Sequence, residues 1–364
     1  MNEQKKTNPS NLKKFLLYLP LSFLLIIFFL ELFSRIFLAC QYQAPFLKPQ
    51  GIILHYYPEL HKAQNTYTNK NDGIFDILIL GGSVLHNDWG EVEKHLTQQL
   101  RKKIGLAFRV FNLSNTAHST LDSKFKMQLL TGKHFDLVML YHGINDVRAN
   151  NAPDSVFQTD YSHYLWYAHL RNILKHKEMS FSVIPYMLDY LLITARSFFQ
   201  SDRFMPLKVP KAEWIPYGHK IKTQTAFEKN IKDIVATAQK NKTPVLLLTF
   251  AYYIPENYSM KKFLNEELDY HYGKSVKCSV ELWGKPADVR KGIEAHNSII
   301  KKIAQNGSHI YFIDMNSIFN KNKTYFDDVC HLTDQGSSKF VSALIPEIRQ
   351  IIKKQPGAHL FAAF

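Results

Sequence analysis

The 364-residue sequence predicts an α/β fold, a parallel sheet covered by helices on both faces, and three observations point to it. Short apolar runs of strand length alternate with longer stretches whose apolar residues recur at helical spacing. The runs lack the polar–apolar alternation of a sheet with one wet face, so they read as strands buried on both sides. Small or polar turns carrying reactive side chains follow the first three runs, and in open parallel sheets ligands bind beyond such strand ends.

In chain order the first element is not part of that sheet. Residues Phe15 to Leu38 are strongly apolar, broken only by Glu31 and Arg35. A bilayer core needs roughly 20 such residues, and Glu31 and Arg35 lie one helical turn apart, able to pair near an interface. Lys5, Lys6, Lys13 and Lys14 precede the run, and basic flanks stay on the cytoplasmic side. The expectation is a cytoplasmic tail over 1–14, an uncleaved transmembrane anchor over 15–38 and a linker over 39–73 with Pro45, Pro49 and Pro58. A cleaved signal peptide is the competing reading, although its apolar core spans only about 7–15 residues. Lipidation at Cys40 is another, and Phe37 and Glu31 fit it poorly.

The first strand is Ile74 to Leu80, ending in Gly81-Gly82-Ser83. Asp88-Trp-Gly-Glu91 then reads as a capping box for a helix carrying Val92, Leu96 and Leu100. Ser83 therefore falls in a tight strand-to-helix turn. The second strand is Phe108 to Leu113, followed by the polar loop Ser114 to Thr120. Leu137 to His142 is the third and delivers Gly143-Ile144-Asn145-Asp146. Pro244 to Phe250 and His309 to Asp314 are the fourth and fifth, and Ala226 to Gln239 and Val289 to Ala304 are helices between them. Asp328-Val329-Cys330-His331 sits just ahead of a C-terminal helix. Together these fragments supply a nucleophile, an amide donor and a carboxylate–imidazole pair, the parts acyl transfer needs.

In this order the motifs resemble the SGNH (GDSL-like) hydrolase superfamily, in a membrane-anchored bacterial form. The resemblance runs from about Ile74 to Ile352. The first family block, Gly-Asp-Ser, stands here as Gly81-Gly82-Ser83, keeping the serine and losing the aspartate. The second offers a backbone N–H from a glycine, and by register from Asn112 the matching position is Ala117. Gly143 to Asp146 and Asp328 to His331 match the remaining two. The resemblance implies a three-layer α/β/α flavodoxin-like sheet over 74–354, with a helical insertion at about 151–221 and a C-terminal tail over 355–364. It implies Ser83 as nucleophile, His331 as general base and Asp328 as the group orienting it. The oxyanion hole would be the N–H groups of Ser83 and Ala117 and the side-chain amide of Asn145.

Other polar residues near these motifs read as structural. Asp146 is expected to tie down the loop after the third strand, and Asn297 to play a structural part on its helix. His86, His118 and His142 lack a cysteine or carboxylate at ligand spacing, so neither a metal nor another cofactor is expected. Cys278 and Cys330 could form a bridge bracing the His331 loop, or remain two buried thiols. The insertion holds Tyr161, Tyr164, Trp166 and Tyr167 and the apolar stretch Phe181 to Phe199. That stretch could be a lid, an acyl-group surface, a helix resting on a membrane, or a hairpin completing the core.

The net charge of +14 comes without a nucleic-acid motif. The lysines read as solvated helix faces near anionic lipid or envelope polymer, and no nucleic-acid partner is expected. The expected protein is a single-pass component of the bacterial inner membrane with a periplasmic catalytic domain. It would hydrolyse an acyl ester on an envelope glycan or lipid. An O-acyltransferase of the same fold, or a catalytically silent scaffold, are the alternatives. Oligomeric state is left open.

Overall fold

The computed structural model describes residues 9–354 except 70, 71, 105, 106, 275, 306 and 308, with backbone alone over 9–17. Residues 1–8 of the expected cytoplasmic tail, with Lys5 and Lys6, and the C-terminal tail 355–364 lie outside the described residues. The chain divides into two compact units, one of Met1–Pro58 with Trp166–Ser201 and one of Glu59–Leu165 with Asp202–Phe364.

The larger unit is built on five parallel strands: β1 (Phe75–Gly81), β2 (Phe108–Asn112), β3 (Leu137–Tyr141), β4 (Val245–Leu248) and β5 (Ile310–Ile313), in the order β2-β1-β3-β4-β5. Ile77, Ile79, Leu137, Met139, Leu246 and Leu248 share one core with Val92, Leu96 and Leu100 of the helix Val92–Lys103 and with the C-terminal helix Asp334–Lys354. The alternate residues Leu78, Leu80, Val138, Leu140 and Leu247 are equally buried, so the opposite face is covered too. Helices Thr120–Leu129, Gln224–Lys240 and Pro286–Gln305 pack against one another in sequence. The three-layer α/β/α architecture expected from the sequence is the one observed.

Strand order fixes where a site can form. From β1 the chain moves to one side for β2 and then to the other for β3, so the turns after β1 and β3 diverge and leave a crevice between them. The register places Gly81 beside Tyr141 and Ile79 beside Asn112. The turns bearing Ser83, Ala117 and Asn145 thus leave three adjacent strands at the same edge.

One local expectation fails. The helix Val92–Lys103 has no side-chain cap, so the Asp88–Glu91 box does not form. His86 Nδ1 instead accepts the Asp88 N–H at 3.3 Å, and the Trp89 N–H donates to the His86 carbonyl at 2.9 Å. This wraps residues 86–90 into a turn. A capping box does close the helix after β2, where Ser119 and Asp122 satisfy each other's backbone N–H groups.

The smaller unit begins with a continuous helix, Pro9–Tyr42. Its stretch Tyr18–Tyr42 is long and apolar enough to cross a membrane, and its side chains are largely uncovered, with Leu24 62% exposed. Glu31 and Arg35 form the expected pair, at 2.6 Å. Within the segment expected as a linker over 39–73, residues 49–56 and 60–65 are helical. The helix continues through Tyr42, Pro49 opens a 3-10 turn Pro49–Ile52, and Ile53–Tyr56 and Leu60–Asn65 follow as short helices. Of the expected insertion, 166–201 belongs to this smaller unit, including helix Ile184–Phe199, while 151–165 and 202–221 belong to the larger one.

Candidate active site

β1 ends at Gly81, and Ser83 opens a one-turn 3-10 helix, Ser83–Leu85. That turn aims the hydroxyl across the strand ends toward the loop ahead of the last helix. Ser83 Oγ lies 2.8 Å from His331 Nε2, and His331 Nδ1 lies 2.7 Å from Asp328 Oδ2. Because a carboxylate only accepts, the imidazole must carry its proton on Nδ1. Nε2 is then free to accept the Ser83 hydroxyl proton. All three residues are buried.

Asp328 is fixed before it meets His331. Its Oδ1 accepts the N–H groups of Cys330 and His331 at 3.0 and 2.9 Å, and its Oδ2 accepts that of Cys278 at 3.0 Å. Burial alone would raise its pKa, but His331 and the Cys330 and His331 backbone N–H groups more than offset this, holding the carboxyl below its ordinary value. The loop is pinned by Asp327 N–H to His331 carbonyl at 2.8 Å and Tyr253 N–H to Val329 carbonyl at 2.9 Å.

The Asn145 amide lies against the turn that carries Ser83. Its Oδ1 accepts from Trp283 Nε1 at 2.9 Å, which fixes the amide so that Nδ2 donates to the His118 carbonyl at 2.9 Å. An amide has two N–H donors, and this geometry uses one of them. Gly82 explains how the amide comes so close, because a Cβ there would lie 2.6 Å from Asn145 Nδ2. A side chain at position 82 would thus push against the Asn145 amide.

Ala117 lies on the same edge, between two residues tied to the site. Thr116 Oγ1 accepts from Trp89 Nε1 at 3.1 Å, and the His118 carbonyl takes the Asn145 amide. The φ of Ala117 is +64°, a left-handed conformation that costs an L-residue about 1 kcal/mol and that glycine adopts freely. The loop beneath is braced by the buried Lys126, whose Nζ donates to the Leu113 carbonyl at 2.6 Å and to His118 Nδ1 at 2.7 Å, and meets Glu59 at 2.6 Å.

Two tryptophans complete the site, and sequence reasoning gave neither a role. Trp283, from the turn after Val280–Leu282, orients Asn145. Trp89 stacks on the His331 ring at 4.2 Å between centroids and 25° between planes. An indole face attracts the imidazolium that forms when His331 takes a proton, worth about 1 kcal/mol or more where water is excluded. Trp89→Leu is therefore expected to lower kcat about tenfold with little change in KM. Trp89→Phe, which keeps a ring on His331, should recover most of the loss in the same steady-state assay. Equal loss in both variants would assign the effect to the Thr116 hydrogen bond instead.

The remaining polar residues hold the scaffold. Asp146 accepts from the Thr120 N–H and hydroxyl at 3.0 and 2.6 Å and from the Tyr161 hydroxyl at 3.1 Å. Its carboxyl is pushed up to about 6 by burial against those hydrogen bonds. It therefore ties the start of the helix after β2 to the segment after β3, rather than the latter alone. Asn297 bonds both backbone groups of Phe250. His142 pairs with Ser123 at 2.7 Å and is pushed down to about 3 by burial, then by Lys126. His118 is driven down by the same causes in the same order. Both imidazoles are thus neutral and engaged.

Cys278 and Cys330 are free, buried thiols. Cys278, Asp328 and His331 put donor atoms within 4.8 Å of one another. Burial and then the Asp328 charge push the Cys278 thiol up to about 12, and the carboxylate is already saturated with N–H donors. A protonated thiol and a committed carboxylate are poor cation ligands.

No family model matches the chain, and no curated protein matches it. Solved structures it is similar to include an α/β hydrolase from the Lake Arreo metagenome, at 12% identity and TM-score 0.42, covering 79% of this chain and 98% of that one. An acetylxylan esterase from Geobacillus stearothermophilus is similar at 14% identity and TM-score 0.42, covering 75% and 94%. A GDSL-like lipase from Bacteroides thetaiotaomicron is similar at 14% identity and TM-score 0.42, covering 81% and 97%. The chemistry proposed for the site rests on its own geometry.

Proposed function

We propose that this chain is a serine esterase or deacylase that cleaves an acyl ester through an acyl-enzyme. The observation that carries this reading is the continuous relay from Ser83 through His331 to Asp328, at 2.8 and 2.7 Å, with an oriented Asn145 amide against the turn that carries Ser83. Ser83 Oγ bonds to the acyl carbon as its proton passes to His331 Nε2. The ester C–O bond then breaks, and the same proton leaves with the departing oxygen as an alcohol. Water adds to the acyl carbon and gives its proton to His331. The acid departs as Ser83 regains that proton.

Negative charge develops twice on the former carbonyl oxygen. We assign its stabilisation to the Ser83 and Ala117 N–H groups and to the second N–H of Asn145, which sit on three adjacent strand ends. The proposed setting is outside the cytoplasm, with Tyr18–Tyr42 as an uncleaved anchor, because Lys13 and Lys14 precede the apolar run and favour a cytoplasmic N-terminus. An ester on an envelope glycan or lipid is the substrate class such a position would meet.

The test is a fluorophosphonate probe on the full-length protein in detergent micelles, followed by peptide mapping. Modification of Ser83, suppressed by a short-chain aryl ester, is the expected result. An unmodified Ser83 under conditions where the protein is folded would end the serine mechanism.

A further inference from the structure

The smaller unit carries a second apolar surface besides its long helix. In Ile184–Phe199, Tyr186 is buried and Tyr190 half-buried, with the Tyr190 hydroxyl 2.7 Å from that of Tyr42. Asp189 pairs with Lys175 at 2.6 Å and lies 2.9 Å from His176 Nε2. The opposite face is uncovered. Leu188, Leu191 and Leu192 are 56–58% exposed, and Phe198 and Phe199 79% and 81%. Their spacing of three, four, ten and eleven residues from Leu188 makes one stripe, with Ala195 within it. Phe181, just ahead of the helix, is 89% exposed.

What fixes the start of this helix indicates what covers the stripe. Glu31 and Arg35 are the charged residues of the apolar stretch Tyr18–Tyr42. Glu31 accepts from the Ser182 hydroxyl at 2.8 Å and the Val183 N–H at 3.0 Å. Arg35 donates to the carbonyls of Phe46, Ser180 and Phe181 at 2.8, 3.3 and 3.2 Å. Charges on a spanning helix need polar partners where hydrocarbon gives way to headgroups. Here those partners are the backbone that opens Ile184–Phe199, so the second helix starts at the level where the first leaves the bilayer.

We propose that Ile184–Phe199 lies in the interface of the same bilayer, with the Leu188–Phe199 stripe sunk among the upper acyl chains. This rests on Tyr18–Tyr42 being a membrane anchor. A lipid surface suits the stripe better than a protein partner does. The stripe is built of leucine and phenylalanine and lacks the Trp, Tyr and Arg that dominate binding hot spots, where leucine is under-represented. Exposed Arg196 borders it on the same helix, as basic residues do on interfacial helices that meet anionic headgroups.

The test uses the full chain in vesicles of phosphatidylethanolamine and phosphatidylglycerol, with Cys40→Ser removing the exposed native thiol. Nitroxide labels are attached through Leu191→Cys on the stripe, Leu24→Cys on the span, and Lys232→Cys as a water-facing reference. Relaxation by oxygen and by a water-soluble nickel chelate is then measured at each. The expected result is that the Leu191 label resembles the Leu24 label, gaining oxygen relaxation and losing nickel relaxation relative to Lys232. A Leu24 label in lipid with a Leu191 label open to nickel would overturn the interfacial helix and leave the anchor standing. A Leu191 label immobile and closed to both reagents would mean a protein covers the stripe. A Leu24 label in water would overturn the anchor, and this proposal with it.

Discussion

Ser83→Ala is expected to lower kcat for ester hydrolysis by about 10⁶-fold, the scale of loss when one member of a serine relay is deleted. His331→Ala should cost as much, and the double substitution little more, because the two groups act as one unit. Without the imidazole the hydroxyl has no acceptor for its proton. Without the hydroxyl the imidazole has nothing to activate. Asp328→Asn should be milder, about 10⁴-fold, since it leaves the relay's shape while losing the charge that sets the tautomer. It should also lower Tm, because Asp328 accepts the backbone N–H groups of Cys278, Cys330 and His331. Ser83→Ala should leave Tm unchanged. Steady-state kinetics with a short-chain aryl ester, beside thermal unfolding of each variant, checks all four. Robust turnover by Ser83→Ala would remove the serine from the mechanism.

The parts of this site that could be read from the sequence are those whose signal is local. Ile79 and Leu80 run straight into Gly81-Gly82-Ser83, so the strand and its reactive turn announce each other. The same holds for Leu140-Tyr141 ahead of Asn145. Asp328 and His331 are three residues apart, and their pairing lies within one loop. Ala117 was reachable only by counting from Asn112, because the group proposed to act there is a backbone N–H that any residue but proline carries. Its positive φ is a property of the folded loop.

Trp89 and Trp283 were not legible, for different reasons. Asp88-Trp-Gly-Glu91 has the composition of a helix cap, and that reading hid a turn that lays the indole on His331. Trp283 reaches Asn145 across 138 positions of sequence, a distance no local pattern reports. The residues around Pro45 and Pro49 looked like a linker because proline disfavours regular structure, yet Pro49 occupies the first position of a 3-10 turn, where its missing N–H costs nothing. The apolar stretch Phe181 to Phe199 stands out by composition, and in the structure its exposed leucines fall on one helical face with Phe198 and Phe199. A period defines a face and does not say what the face meets.

Asn145→Ala is expected to lower kcat by about 10²–10³-fold with little change in KM. A donor aimed at the oxyanion gains strength only as charge builds on that oxygen, so its loss raises the barrier without loosening the bound ester. The competing role is structural, since Asn145 also joins Trp283 to the His118 carbonyl at 2.9 Å on each side. Thermal unfolding separates the two, because a purely structural asparagine would carry its loss of activity in parallel with a fall in Tm. Ala117 supplies an independent check through the backbone. Ala117→Gly should be tolerated, and should relieve the strain at φ +64°. Ala117→Pro should be severe, both because proline has no N–H and because its ring cannot adopt that φ. Gly82→Ala tests the same corner from the nucleophile's side, since its Cβ would displace the Asn145 amide. If Asn145→Ala keeps full kcat, the amide does not serve the oxyanion, and the hole must be sought among the backbone N–H groups alone.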